Sequence, residues 1–383
     1  MTHRGAGLVT RTSAQPSMRS INRLHIMEAM RANGPVSRVE IGECTGLAPA
    51  TISEITGALV AENLLRESRI VIAGRGRPRV MLEINADGGR VMGVKLSTHQ
   101  VTLSLTDLTG NAIDAVSLPL LPKELGIAAT ADSVAASIHA FLKKQRLLPA
   151  SLSGIGVGLP GFIESGTGTG HWSPLFGANP PSFSRLLMER LGVPVVVEND
   201  VNLVALAERW FGEGKGVDNF CVVTVEHGVG MGMYLDGRLY RGRGGMAAEF
   251  GHVRHREHGL PCRCGQQGCI EAYAADYGIV GRAAGIIELG PLEDARAINA
   301  AVKEITRRAK LGDARLRALF TEAGHALGLG IANLVNILTP ERVLVTGEGM
   351  RAEDLLMRPL IDSFQDNVLP FLRETTPLIW HAW

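Results

Sequence analysis

No lysine precedes Lys95, and up to Arg90 the cations are twelve arginines set against eight acids, while the rest of the chain is slightly acidic. Over all 383 residues the charges nearly cancel, to a formal +1, so net charge does not make the whole protein a polyanion binder. The imbalance points instead to a basic head on a neutral body. Long apolar runs are missing too. The first twenty residues contain none that would serve as a secretory signal, and no later stretch has the uninterrupted length of a membrane span, so a cytoplasmic protein with no membrane contact is expected. Cysteine is scarce: of five, Cys44 and Cys221 stand alone, and Cys262, Cys264 and Cys269 lie together. An odd and uneven set of this kind argues against a disulfide framework and suits reduced thiols plus a metal site. At this length two or three domains are expected.

From Ser20 to Glu67 apolar residues recur at helical spacing in three blocks: Ile21, Leu24, Ile26 and Met30; then Val36, Val39 and Ile41; then Ile52, Ile55, Leu59, Val60 and Leu64. Gly34 and Pro35 stop the first helix, Ser37 with Glu40 has capping-box spacing for the second, and Gly46 and Pro49 suit the turn into the third. This is a helix-turn-helix layout. The next stretch, RESRIVIAGRGRPRVMLEIN, alternates, breaks at a Gly/Arg/Pro tip and alternates again, as a hairpin or wing would. Beyond Gly88-Gly89 strands alternate with helices. VMGVKLS, VTLSLTD and AIDAVSLPL open one half, and FCVVTVEHG, VGMGMYLDG and RLYRG open a second in the same order. Helices close both halves, which is what a two-lobed α/β fold around a cleft would produce.

Three constellations carry chemistry. C-x-C-x4-C over Cys262, Cys264 and Cys269, with Gly265 and Gly268 between them, has metal-ligand density; His252, His255 and His258 are candidate fourth ligands. Three thiolates and an imidazole close a tetrahedral shell, so the ion would be structural. In the wing, Arg75, Arg77 and Arg79 alternate with Gly74, Gly76 and Pro78, a slim basic segment suited to the minor groove of A·T-rich DNA. The DNA face is completed by Ser37 and Arg38 at the start of the second helix and by Ala50, Thr51 and Ser53 at the start of the third. None of the third-helix residues is an Arg or Lys able to grip guanine, so major-groove readout should be modest. Finally, VVVENDVNLVALAE delivers Asn199 and Asp200 from a buried strand to a helix start. A helix cap explains them, and so does a cleft. Glu249 and Glu271, flanking the cysteine cluster, add carboxylates suited to sugar hydroxyls.

LPG (Leu159 to Gly161), END, EFGH and CRCGQQGCIE, in that order and at those separations, resemble the ROK family of sugar kinases and sugar-responsive repressors over essentially the whole chain. GPVSRVEIGECTGLAPATISEIT and GRGRPRV resemble the DNA-binding half of its repressor branch. The resemblance implies an α/β actin/hexokinase-like, ribonuclease H-like domain over about 86–383, with lobes 86–198 and 199–383. Before it would come a flexible arm over 1–20 and a winged helix-turn-helix over 21–85. It implies zinc on His252, Cys262, Cys264 and Cys269, and sugar contacts from Gly161, Asn199, Asp200, Glu249, His252 and Glu271. The implied partners are a palindromic operator bound as a homodimer or dimer of dimers, a sugar or sugar-phosphate effector and, in part of the branch, a protein regulator.

One departure separates the chain from the kinases. They open their first sheet with an Asp-x-Gly-Gly-Thr type loop, where bare backbone meets ATP and a carboxylate helps to hold magnesium. Here the stretch is GVKLSTHQ, with Lys95 for the aspartate and Ser97 and Thr98 for glycines. No phosphoryl transfer is therefore expected, although Asp200, which matches the kinases' base, is kept. The loops EHGVGMG and VTGEG retain glycines of the nucleotide side. The chain ends at TPLIWHAW, where the resemblance implies a further helix, so the last strand is expected to be weakly held.

Overall fold

The structure, a computed structural model, describes residues 17–69, 80–98, 100–120, 126–165, 167–292 and 295–381. Most of the expected N-terminal arm, the wing tip and Arg75, Arg77 and Arg79 lie outside the described residues. The chain divides into two compact units, one holding everything up to Gly89 with the turn Asp107–Gly110, the other Arg90–Thr106 and all that follows Asn111.

In the first unit α1 (Met18–Asn33), β1 (Val36–Ser37), α2 (Arg38–Thr45), α3 (Pro49–Ala61), β2 (Leu65–Arg69) and β3 (Val80–Ile84) follow one another. The helix α1 starts inside the segment expected as an arm, because Ser17 caps it by accepting the Ser20 N–H. The Ser37–Glu40 capping box is formed in full, Gly46 ends α2 in the left-handed conformation, and α2 and α3 meet at 118°. The three strands form an antiparallel sheet in the order β1-β3-β2. Ile26, Met30, Ile41, Ile52, Ile55, Leu59 and Leu82 make the core, whereas Leu24 and Val39 are exposed. Helix geometry explains the difference, since Ile26 and Met30 stack four residues apart on one face and Leu24 points away from it.

The first lobe of the second unit contains β4 (Arg90–Leu96), β5 (Gln100–Asp107), β6 (Ala112–Pro119), α4 (Gly126–Lys144), β7 (Gly154–Leu159), β8 (Phe162–Glu164), β9 (Thr169–Ser173), β10 (Gly177–Ala178), α5 (Phe183–Leu191) and β11 (Val195–Asn199). The second contains α6 (Asp200–Phe211), β12 (Phe220–Val225), β13 (Val229–Leu235), β14 (Arg238–Leu239), α7 (Ile270–Ala274), α8 (Asp276–Ala283), α9 (Ala295–Lys310), α10 (Ala314–Leu338), β15 (Arg342–Thr346), α11 (Glu353–Asn367), α12 (Pro370–Thr375) and β16 (Leu378–Trp380). The five-stranded sheets run β11-β7-β4-β5-β6 and β14-β13-β12-β15-β16. Each is an antiparallel meander whose first strand has a parallel strand on its other side, and that strand a second parallel one beyond it. The duplication expected from the order of elements is therefore present strand for strand.

In the first lobe, α4 and α5 bury Val134, Ile138, Phe141, Phe183 and Leu187 against the sheet. In the second the core forms around α10, which α11 approaches closely at Gly324 and Gly328, where an added Cβ would meet the Leu356 and Leu360 backbone. The length and apolar content of α10 would suit a membrane span, but most of it is buried as a core helix. The last strand is better held than expected: β16 pairs with β15, and His381 Nδ1 lies 3.0 Å from Glu208 Oε1.

Candidate functional site

The site pieces gather where parallel strands end, which is where open α/β sheets present loops to ligands. In the first lobe Lys95 stands near the end of β4, Gly161 just after β7, and Asn199 and Asp200 at the end of β11. In the second, Glu226 follows β12 and Gly347 follows β15.

The cysteine loop is folded as a knuckle closed by two β-bridges, Arg254 to Cys269 and Pro261 to Gln267. Gly268 is required in it, because at its φ of 77° a Cβ would overlap the Arg256 carbonyl. The ligand atoms of His252, Cys262, Cys264 and Cys269 all lie within 4.8 Å of one another. Cys264 and Cys269 sulfurs are 3.7 Å apart, and Cys262 Sγ is 3.6 Å from His252 Nδ1. Donors around a tetrahedral zinc lie about 3.5–3.8 Å apart, so this set fits the ion. Burial and the neighbouring Cys264 and Cys262 thiols push the Cys269 thiol up to about 12, crowding that a divalent cation relieves. Of the other candidate ligands, His255 packs edge-on against Tyr273, and His258 is 90 % exposed.

Two groups of polar side chains flank β13. On one side Asn199 caps α6, accepting the Val201 and Asn202 N–H groups, while its Nδ2 donates to Gly161 O at 3.0 Å. The cap expected of this residue is therefore formed, and the same side chain ties the LPG turn to the END turn. Beside it, burial pushes the Asp200 carboxyl up to about 6, against the pull of Lys95 and with the push of Glu226. On the other side Glu271 Oε2 accepts the Val229 N–H at 3.2 Å, and its Oε1 takes the Tyr277 hydroxyl, which also meets Cys262 Sγ at 3.5 Å. Glu249 Oε2 faces His252 Nε2 at 4.0 Å, leaving Nδ1 to the thiols. Desolvation, then Glu271, pushes Glu249 up to about 7, although 43 % of its side chain meets solvent. The flanks are drawn together by Gly230 and Gly232 of β13, which lie directly under Val201 and Ala205 of α6.

At the mouth between the sheets, Lys95 Nζ lies 3.8 Å from Glu226 Oε2. Asp276, buried at the start of α8, receives Arg351 from the loop after β15 and lies 3.2 Å from His227 Nδ1, which its contact raises above the ordinary histidine range.

Residues 91–380 match the profile described as the ROK family. The chain belongs to the ROK family. Among curated proteins it is similar to the xylose repressor of Caldicellulosiruptor bescii, 29 % identical over 351 residues that cover 90 % of this chain and 87 % of the relative. Among solved structures it is similar to a ROK family transcriptional regulator, a homologue of the E. coli Mlc protein, with a TM-score of 0.78, 27 % identity and coverage of 94 % and 92 % of the two chains. A ROK family glucokinase from Streptomyces griseus, solved with glucose and AMPPNP, matches with a TM-score of 0.62 and 26 % identity, covering 76 % of this chain and 94 % of its own. The regulator thus spans the helix-turn-helix unit as well as the ROK domain, and the kinase only about the length of the latter.

In the helix-turn-helix unit of this ROK protein, Ala50 and Ser53 are exposed and Thr51 half-buried on the face of α3 opposite Ile52, Ile55 and Leu59. Ser37 is buried, its hydroxyl spent on the α2 cap, and Arg38 gives Nε to Thr56 and Nη2 to Glu67. Ser37 thus serves the cap, whereas the Arg38–Glu67 pair lies at the surface of the unit. Sequence reasoning missed Glu198 and Arg241, which pair at 2.7 Å. A signal for Glu198 existed, since a glutamate in the apolar strand VVVEN needs a partner; nothing in the sequence singles out Arg241 as that partner.

Proposed function

We propose that the protein is a sugar-responsive, DNA-binding transcriptional repressor whose ROK domain holds a sugar without phosphorylating it. One observation carries this reading: a helix-turn-helix unit with its three-stranded sheet precedes a ROK domain, and the solved ROK regulator matches along 94 % of this chain. Asn199, Asp200, Glu249, His252 and Glu271, with Gly161, are the hydroxyl-binding set. Zinc on His252, Cys262, Cys264 and Cys269 is structural: when bound it fixes the loop, while Tyr277 and the Val229 N–H orient Glu271 and Glu249 orients His252. On DNA, a homodimer fits a palindromic operator, with α3 offering Ala50, Thr51 and Ser53 to the major groove and Arg75, Arg77 and Arg79 reaching into A·T-rich minor groove.

The kinase alternative has one observation in its favour, an Asp200 poised near 6 as a general base would be. Against it, Lys95 stands where the kinases' aspartate would help to hold magnesium, and it already faces Glu226. The test of the repressor reading is fluorescence anisotropy on DNA from upstream of the protein's own gene, with D-glucose, D-xylose and N-acetyl-D-glucosamine added in turn. Binding that weakens with salt is expected, and one sugar should lower the affinity by about 5–150-fold, the usual span of allosteric coupling. Absence of salt-sensitive binding overturns the reading.

A further inference from the structure

We propose that Arg241 is a positioning residue for the sugar site, acting through Glu198 to hold the two walls of the pocket in register; the inference rests on the sugar-binding reading above. Glu198 is the penultimate residue of β11, and its side chain is only 6 % exposed. Its Oε1 accepts the Asn199 N–H and Asn202 Nδ2, each at 3.0 Å. Its Oε2 accepts Arg241 Nε at 2.7 Å. One carboxylate therefore fixes both the backbone entering Asp200 and the first turn of α6.

Arg241 comes from the opposite lobe. It follows β14 and opens the segment that ends on Glu249, the acid of the other wall. On the way Gly245 lies so near β8 that a Cβ would overlap the Ile163 carbonyl, and a Cβ on Gly244 would sit 3.2 Å from His171 Nε2. The segment thus leaves one sheet, lies along the β8–β9 hairpin of the first lobe and returns carrying Glu249 and His252. The ion pair is its first anchor. A carboxylate so deeply buried cannot be solvated where it stands if the guanidinium is removed. It must swing out or take up a proton, and either change loosens its hold on Asn199 and Asn202. Both walls then shift, although neither Arg241 nor Glu198 belongs to the hydroxyl-binding set.

The test uses the full-length, zinc-loaded protein with D-glucose, D-xylose and N-acetyl-D-glucosamine in isothermal titration, and hydrogen exchange of segments 199–203 and 240–249 without sugar. Arg241→Ala should weaken binding of the sugar that wild type takes by at least tenfold with zinc content unchanged, and should speed exchange in both segments. Arg241→Lys should stay within about threefold of wild type, since an ammonium can still meet Oε2. The double variant Glu198→Gln/Arg241→Ala should bind no more weakly than Arg241→Ala alone, because an uncharged amide no longer needs the guanidinium. A merely structural residue would lower the melting temperature and leave affinity within twofold; that result, with unchanged exchange, overturns the inference while the sugar-binding reading stands. If wild type binds none of the sugars, the sugar-binding reading fails instead, and exchange in 199–203 decides the inference by itself: faster in Arg241→Ala supports it, unchanged overturns it.

Discussion

The fold raises the carboxyls of Asp200 and Glu249 toward neutral pH, to about 6 and about 7. Burial raises both, so each is protonated at a pH where an exposed carboxyl is still ionised. A sugar hydroxyl donates best to the ionised form. Binding should therefore strengthen as pH rises through the free-protein values and level off above them, with a limiting slope of about tenfold per pH unit for one obligatory carboxylate. Solvent around Glu249 screens part of its share, and Asp200 should dominate the lower limb. Calorimetric titration of the bound sugar between pH 5 and 8 measures the profile. Asp200→Asn should bind more weakly at pH 7.5 and lose the limb below about 6. A flat wild-type profile would remove the ionised acceptor from the site. The acids and amide that the structure gathers here were legible in the END and EFGH motifs, because such residues sit together in the chain. Their supports were not, since Glu198 and Arg241 lie 43 residues apart and pair only through the meeting of two lobes.

At the scale of elements, the knuckle from His252 to Cys269 holds three thiols close together with little regular structure around them. Without a cation, burial and thiol crowding oppose ionisation of Cys269, so the loop's geometry and the metal are expected to stand or fall together. Cys264→Ser should lose the bound zinc, read by elemental analysis. It should also lower the melting midpoint of the ROK domain by about 5 °C or more, as loss of a few kcal/mol does in a domain of this size. Because Tyr277 bridges Cys262 and Glu271, sugar affinity should fall as well. Retained metal with unaltered affinity would refute the structural role. The knuckle was legible because cysteines at this spacing have few other uses, and the helix-turn-helix because its caps and its period agree. The β8–β10 sheet was not legible: strands as short as Gly177–Ala178 carry no period, and their pairing is set by tertiary neighbours. Leu24 and Val39 show the opposite limit, apolar residues that fit a helical spacing and still face outward.

At the scale of the whole molecule, the two five-stranded sheets share one topology and the ROK domain resembles a solved ROK glucokinase, so the proposed lack of phosphoryl transfer has to rest on what lines the mouth between the sheets. A nucleotide's phosphates and magnesium would need bare backbone and a carboxylate from the loop after β4. The end of β4 instead sends Lys95 across to Glu226 of the opposite lobe, while in the turn that follows Ser97 donates its N–H to Gln100 O at 2.9 Å. Farther along, the loop after β15 spends Arg351 on Asp276, which also receives His227 from the turn between β12 and β13. On the non-kinase reading proposed above, these protein charges pair with one another where a kinase would need them for a triphosphate and its metal. Magnesium-ATP at millimolar concentration should accordingly leave the melting temperature unchanged within about 1 °C, and ADP formation over the sugar panel should stay at background. The bound sugar should raise the melting temperature on its own, because at a hundredfold excess over its dissociation constant it stabilises the fold by about 2.7 kcal/mol. A nucleotide-dependent shift, or turnover abolished by Asp200→Asn, would mean that the Lys95–Glu226 pair opens to admit ATP and that the domain is a kinase carrying a DNA-binding head.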